Sequence, residues 1–128
     1  MDQPVRLNGL RVLILEDEAL LAMLLEDVLA EFGCSVAGTF SQNDAALAFL
    51  ATNAADVDFG ILDVNIGGQR SDPVAREFDR LGLPFVFSTG YDDSALNQTW
   101  RGKPSLKKPF RPIDLERILT DAAAARGP

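Results

Sequence analysis

Three short apolar runs, each closed by polar residues, restrict the fold of this chain more than any other feature. Phe59-Gly60-Ile61-Leu62 runs into Asp63, Val12-Leu13-Ile14-Leu15 into Glu16-Asp17-Glu18, and Phe85-Val86-Phe87 into Ser88-Thr89-Gly90. None alternates apolar with polar residues. Each therefore reads as a strand buried on both faces, the habit of parallel sheets covered by helices. Ligands of such sheets bind beyond the carboxyl ends of the strands. Parallel pairing would gather Glu16, Asp17, Asp63 and Thr89 along one rim.

Helical patterns separate the runs. Over 19–32, Leu20, Met23, Leu24, Val28 and Phe32 recur at helical spacing, and Gly33 stands at the usual C′ position. A short strand over 35–39 follows. Ser41 is placed to cap a helix whose core side uses Ala45, Leu47, Ala48 and Leu50. The third strand covers 57–62, and the Gly67, Gly68 and Ser71 stretch, 65–72, reads as a loop. Asp72-Pro73 opens a helix to Leu81, with cap and proline in the usual order. Then come a strand over 83–87, a weakly anchored helix over 92–100 and a brief strand, Ser105-Leu106-Lys107. The last helix, 112–125, turns Ile113, Leu115, Ile118 and Leu119 inward. Five strands alternating with five helices specify an α/β fold, an open parallel sheet with right-handed crossovers. The expected organisation is one domain over 10–123, a flexible lead-in over 1–9 and a frayed end over 124–128.

With 47% hydrophobic residues in 128, the chain can fill a single core. The net charge of −7 and the absence of a Lys/Arg-rich run argue against nucleic-acid binding. No apolar stretch approaches the roughly 18–20 residues that span a bilayer, and Met1-Asp2-Gln3-Pro4 lacks the basic start of a signal peptide. Cys34, the one cysteine, reads as a small packed residue. A cytoplasmic protein is expected, with Trp100 as a candidate surface contact.

Three carboxylates about 5 Å apart in a partly exposed pocket repel by about 3 kcal/mol per pair at an effective dielectric of about 20. A cation resolves that repulsion, and an all-oxygen ligand set suits Mg²⁺. Glu16, Asp17 and Asp63 contribute −3, which Mg²⁺ and one lysine balance. The lysine is Lys108 in Leu106-Lys107-Lys108-Pro109-Phe110, where a cis Lys108–Pro109 bond would aim the side chain back at Asp63. The Thr89 hydroxyl can hydrogen-bond a transferred phosphoryl group. Asp63 then reads as the nucleophile, forming an acyl phosphate in an in-line transfer.

The set Glu16-Asp17, Asp63, Thr89 and Lys108-Pro109 resembles the receiver domain of two-component response regulators, in the family's order and over about residues 10–123. The resemblance implies a flavodoxin-like sheet of order 2-1-3-4-5, with Asp63 phosphorylated by a sensor histidine kinase or a histidine phosphotransfer protein. It implies that Asp17 binds Mg²⁺ directly, Glu16 mostly through water, and that the backbone carbonyl of Asn65 is a further ligand. It also implies no output domain and no enzymatic activity beyond self-catalysed phosphoryl acceptance and slow autodephosphorylation, in a monomer or weak dimer. Phe87-Ser88-Thr89-Gly90-Tyr91 is similar to the Phe-Ala-Thr-Gly subgroup of mostly stand-alone alphaproteobacterial receivers, departing from it at Ser88. Ile66-Gly67 replaces the wider family's Met-Pro, and Ser105 its switch aromatic. Tyr91, Ser88 and the 92–104 segment become the switch candidates. Two other readings share this architecture. A Mg²⁺-dependent phosphatase with an aspartyl nucleophile usually wants a carboxylate two residues further on, where this chain has Asn65. A flavin-binding module would want a Gly/Ser/Thr-rich phosphate cradle.

Overall fold

The computed structural model describes residues 7–90 and 105–126, with side chains to 124. In chain order the elements are β1 (Arg11–Leu15), α1 (Ala19–Glu31), β2 (Ser35–Phe40), α2 (Asn43–Asn53), a 3₁₀ turn (Ala54–Asp56), β3 (Phe59–Asp63), β4 (Asn65–Ile66), β5 (Gln69–Arg70), α3 (Asp72–Arg80), β6 (Phe85–Thr89), β7 (Ser105–Lys107) and α4 (Pro112–Arg126). Five strands form one sheet in the order β2-β1-β3-β6-β7, every pair parallel. With the separate β4–β5 hairpin set aside, this is the anticipated 2-1-3-4-5 order of the flavodoxin-like α/β fold. Four α-helices flank the sheet among the described residues; the fifth, expected over 92–100 and including Trp100, lies outside them. No described helix is long and apolar enough to cross a membrane.

Strand alternation divides the core into two layers. Val12, Ile14, Phe59, Ile61 and Val86 pack on one face against Leu25 and Leu29 of α1 and Leu115 and Leu119 of α4. Leu13, Leu15, Leu62, Phe85 and Phe87 pack on the other against Ala46 and Leu50 of α2 and Val74 and Phe78 of α3. Leu7, inside the 1–9 stretch, is fully buried in the first layer. Every residue of β3 and β6 is buried, as their unbroken apolar runs require.

Helix phase differs from the sequence expectation. α1 buries Ala22, Leu25 and Leu29, while Leu20, Met23 and Leu24 are 79%, 58% and 57% exposed. Its sequence is apolar nearly all round, so two stripes of correct spacing compete, and packing on the sheet selects one. In α2 the buried positions are Asn43, Ala46 and Leu50, with Leu47 half-buried and Ala45 and Ala48 exposed. Its N-cap is Gln42 rather than Ser41, and α3 is capped from Ser71 rather than Asp72; neither cap makes a side-chain bond. Ile113 is exposed at the first turn of α4. The expected 65–72 loop is instead a tight hairpin, Asn65 facing Arg70 and Ile66 facing Gln69. Gly67 and Gly68 form its two-residue turn at φ +57° and +80°, the positive angles that such a turn needs.

Gly60 permits close packing of β3 against α3: a Cβ there would lie 2.5 Å from Cε2 of Phe78. Gly60→Ala is expected to destabilise the fold by about 1–3 kcal/mol through overpacking, read as a lowered denaturant midpoint. Burial pushes the Cys34 thiol up to about 11, and its Sγ sits 3.7 Å from the Leu7 carbonyl oxygen. Two units above its ordinary value, the thiolate population at pH 8 falls about 100-fold. Native protein should therefore resist an aromatic disulfide reagent that labels the unfolded chain at once. The neutral thiol favours the fold below about pH 9, and that contribution is lost as pH rises through about 11.

Candidate functional site

Parallel pairing in near register is what brings the polar strand ends together. Leu15 stands beside Leu62, so Glu16, the next residue, comes alongside Asp63. Asp63 in turn pairs with Ser88, and Ser88 with Leu106. Two residues beyond Leu106 the chain turns through a cis Lys108–Pro109 bond, and the Lys108 N–H donates to the Thr89 carbonyl at 2.8 Å. That bond ties the end of β7 to the end of β6.

The Lys108 ammonium lies between two carboxylates, 3.0 Å from Asp63 Oδ2 and 3.1 Å from Glu16 Oε1. Glu16 is 3% exposed and Asp63 7%. Their remaining oxygens accept backbone donors, Glu16 Oε2 from Glu18 N–H at 3.1 Å and Asp63 Oδ1 from Asn65 N–H at 3.3 Å. Asp17 is exposed, and its Oδ2 accepts the Gly67 N–H at 3.0 Å. One oxygen from each of Glu16, Asp17 and Asp63 lies within 4.8 Å of the other two. Three carboxylates and one ammonium leave a formal charge of −2.

Burial raises the Asp63 carboxyl above its ordinary value, and the Asp17 charge adds to this; Lys108 and the Asn65 N–H oppose it. Glu16 is likewise raised, first by burial and then by the charge of Asp63, against Glu18 N–H and Lys108. Burial alone would lower Lys108, but the hydrogen bonds and charges of Asp63 and Glu16 outweigh it and hold the ammonium above its usual value. The rim carries surplus negative charge, with Glu16 and Asp63 buried and Asp17 open to solvent. An all-oxygen donor set of this kind suits a hard divalent cation, which would cancel the residual −2.

Of the residues expected at the site, Glu16, Asp17, Asp63 and Lys108 converge. Thr89 is buried at the end of β6, joined to Lys108 through its carbonyl. Asn65 opens β4, and its N–H is directed at Asp63. Ser88 is buried beside Asp63 in the sheet, its hydroxyl without a hydrogen-bond partner among the described residues. Ser105 is exposed on β7, and Tyr91 lies outside the described residues. Sequence reading missed the Glu16–Lys108 pair and the Gly67 amide on Asp17. The second was foreshadowed by Gly67-Gly68, a dipeptide that signals a two-residue hairpin turn.

No family model matches the chain, and no curated protein does. Solved structures do. SdrG from Sphingomonas melonis Fr1 is 38% identical with a TM-score of 0.79, over 91% of this chain and 97% of that one. The REC domain of the PhyR response regulator from Erythrobacter litoralis is 27% identical with a TM-score of 0.77, over 90% of each. A response regulator receiver protein from Burkholderia phymatum, 24% identical with a TM-score of 0.79 over 91% and 96%, shares the fold. Alignment along nearly the whole of both chains, on a sheet of the same kind, places this chain in the family of response regulator receiver domains.

Proposed function

We propose that Asp63 accepts a phosphoryl group from a phosphohistidine of a partner, a sensor histidine kinase or a histidine phosphotransfer protein. An Asp63 carboxylate oxygen bonds to phosphorus in line as the nitrogen–phosphorus bond breaks, leaving an acyl phosphate and a free imidazole. The observation that carries this reading is the Lys108 ammonium seated between Asp63 and Glu16 in a pocket of net charge −2. Glu16, Asp17, Asp63 and the Asn65 backbone carbonyl would hold Mg²⁺. When bound, that ion neutralises charge on the phosphoryl oxygens. Lys108 holds the acceptor in place and pairs with a phosphoryl oxygen after transfer, and the Thr89 hydroxyl binds another. Asn65, two residues past the acceptor, has no proton to donate as an acid. The chain therefore acts as a phosphoacceptor that signals, relays or drains phosphoryl groups, and not as a phosphatase.

Phosphorylation replaces a carboxylate by a bulkier dianion and draws Lys108 away from Glu16, which can bias neighbouring backbone between two states. Ser88 and Tyr91 are the residues we assign to that change, since Ser105 supplies no aromatic lever. Partner docking is supported by exposed apolar side chains near the rim. Leu20, Met23 and Leu24 lie on the first turns of α1, just after Asp17, and Ile113 lies in the first turn of α4, which follows Lys108.

Incubation with a small-molecule phosphodonor and Mg²⁺ is expected to add one phosphoryl group by intact mass. Asp63→Asn should abolish the gain and Asp17→Asn should remove most of its Mg²⁺ dependence. An unmodified wild-type chain under every donor tried overturns the reading. Lys108→Ala leaves two buried carboxylates facing each other without their cation, and should lower stability at pH 7 by about 3 kcal/mol. Because burial raises both carboxyls, that deficit should shrink in acid as they take up protons, measured by denaturation at several pH values.

A further inference from the structure

We infer that the β4–β5 hairpin is a clamp on the acidic rim, and that Asn43 of α2 is the positioning residue that holds the clamp in place. The hairpin offers two backbone donors to two carboxylates: Asn65 N–H to Asp63 Oδ1 at 3.3 Å and Gly67 N–H to Asp17 Oδ2 at 3.0 Å. Each donor occupies one oxygen of its carboxylate and limits its rotation. Where a two-residue turn joins two strands, the flanking pair, here Ile66 and Gln69, exchanges hydrogen bonds. The next pair, Asn65 and Arg70, then turns its backbone groups outward. The bond from Ser71 N–H to the Val64 carbonyl at 2.9 Å follows the same alternation one step on.

Outward from Asn65 lies Asp63; outward from Arg70 lies α2. There Asn43 Nδ2 donates to the Arg70 carbonyl at 2.9 Å. Asn43 is 6% exposed and occupies a core-facing position in the first turn of α2. An amide at such a place is costly unless bonded, and its bond here goes to the hairpin. Ile66, 1% exposed, pins the other strand in the core. The Arg70–Asp72 ion pair at 3.0 Å has its arginine 41% exposed, so solvent screens it and it adds little to the anchor. Loss of the Asn43 bond frees β5 to move, and the two amides then leave their carboxylates. The consequence for metal rests on the reading given under Proposed function; the clamp itself does not.

Two measurements on the full chain test this. Hydrogen exchange at the Gly67 and Asn65 amides, followed by NMR without metal, should quicken about tenfold in Asn43→Ala, while the Ile61 and Val86 amides of the central sheet keep their rates. The Mg²⁺ dissociation constant, read from the same amides, should rise about tenfold, the lower end of what loss of a supporting partner behind a ligand does. Arg70→Ala, which keeps the backbone carbonyl, should change neither. Should Asn43→Ala not fold, Asn43→Ser, too short to reach that carbonyl, carries the same expectations. Unchanged Gly67 and Asn65 exchange, or a uniform acceleration that includes the sheet, overturns the clamp. A wild-type chain that takes up no Mg²⁺ overturns the metal reading, and exchange alone then decides the clamp.

Discussion

Two carboxylates, Glu16 and Asp63, sit almost out of water at the ends of neighbouring strands, and the site depends on how their mutual repulsion is met. Lys108 meets part of it by standing within 3.1 Å of both. The lysine is not near either of them in sequence, so its placement requires the whole sheet: β7 paired to β6, β6 to β3, β3 to β1. A register slip of one residue between any two strands would turn a partner to the opposite face. Fold and site are in this sense one construction.

The pocket is left with surplus negative charge, and that surplus is the chemically useful quantity. Full neutralisation by protein groups would leave an inert buried ion pair. One ammonium against three carboxylates instead leaves a residual −2 that a hard divalent cation would cancel. The backbone donors from Glu18, Asn65 and Gly67 orient the carboxylates without cancelling their charge. Here the hairpin differs from an ordinary connecting loop, because its first strand faces the acidic rim while its second is fastened to α2.

Much of this was legible in the residues. Unbroken apolar runs in β1, β3 and β6 identified buried parallel strands, and their polar ends identified the rim. Glu16, Asp17, Asp63 and Thr89 could each be named from its position after an apolar run, and Lys108 from charge balance and the Lys108-Pro109 turn. Helix faces were harder to read. α1 carries leucines on more than one side, and Leu20, Met23 and Leu24 have the spacing of a core stripe while lying in solvent. In α2 the core position Asn43 is polar, so a hydrophobic pattern passes over it. Gly67-Gly68 suits a loop and a tight hairpin equally by composition, and only the pairing of Asn65 with Arg70 decides for the hairpin.

Strand identity and the acidic character of the rim follow from the chain alone, because they depend on local runs and on which side chains can bear charge, whereas the strand order was implied only by the family resemblance. Which side of α1 meets the sheet, where Asn43 spends its amide, and which carboxylate the Gly67 N–H reaches were decided only in three dimensions. The Asn43–Arg70, Lys108–Asp63, Gly67–Asp17 and Lys108–Glu16 contacts join residues 27, 45, 50 and 92 apart in sequence at 2.9–3.1 Å in space. No local pattern encodes such a distance; the packing of helices on a twisted parallel sheet creates it.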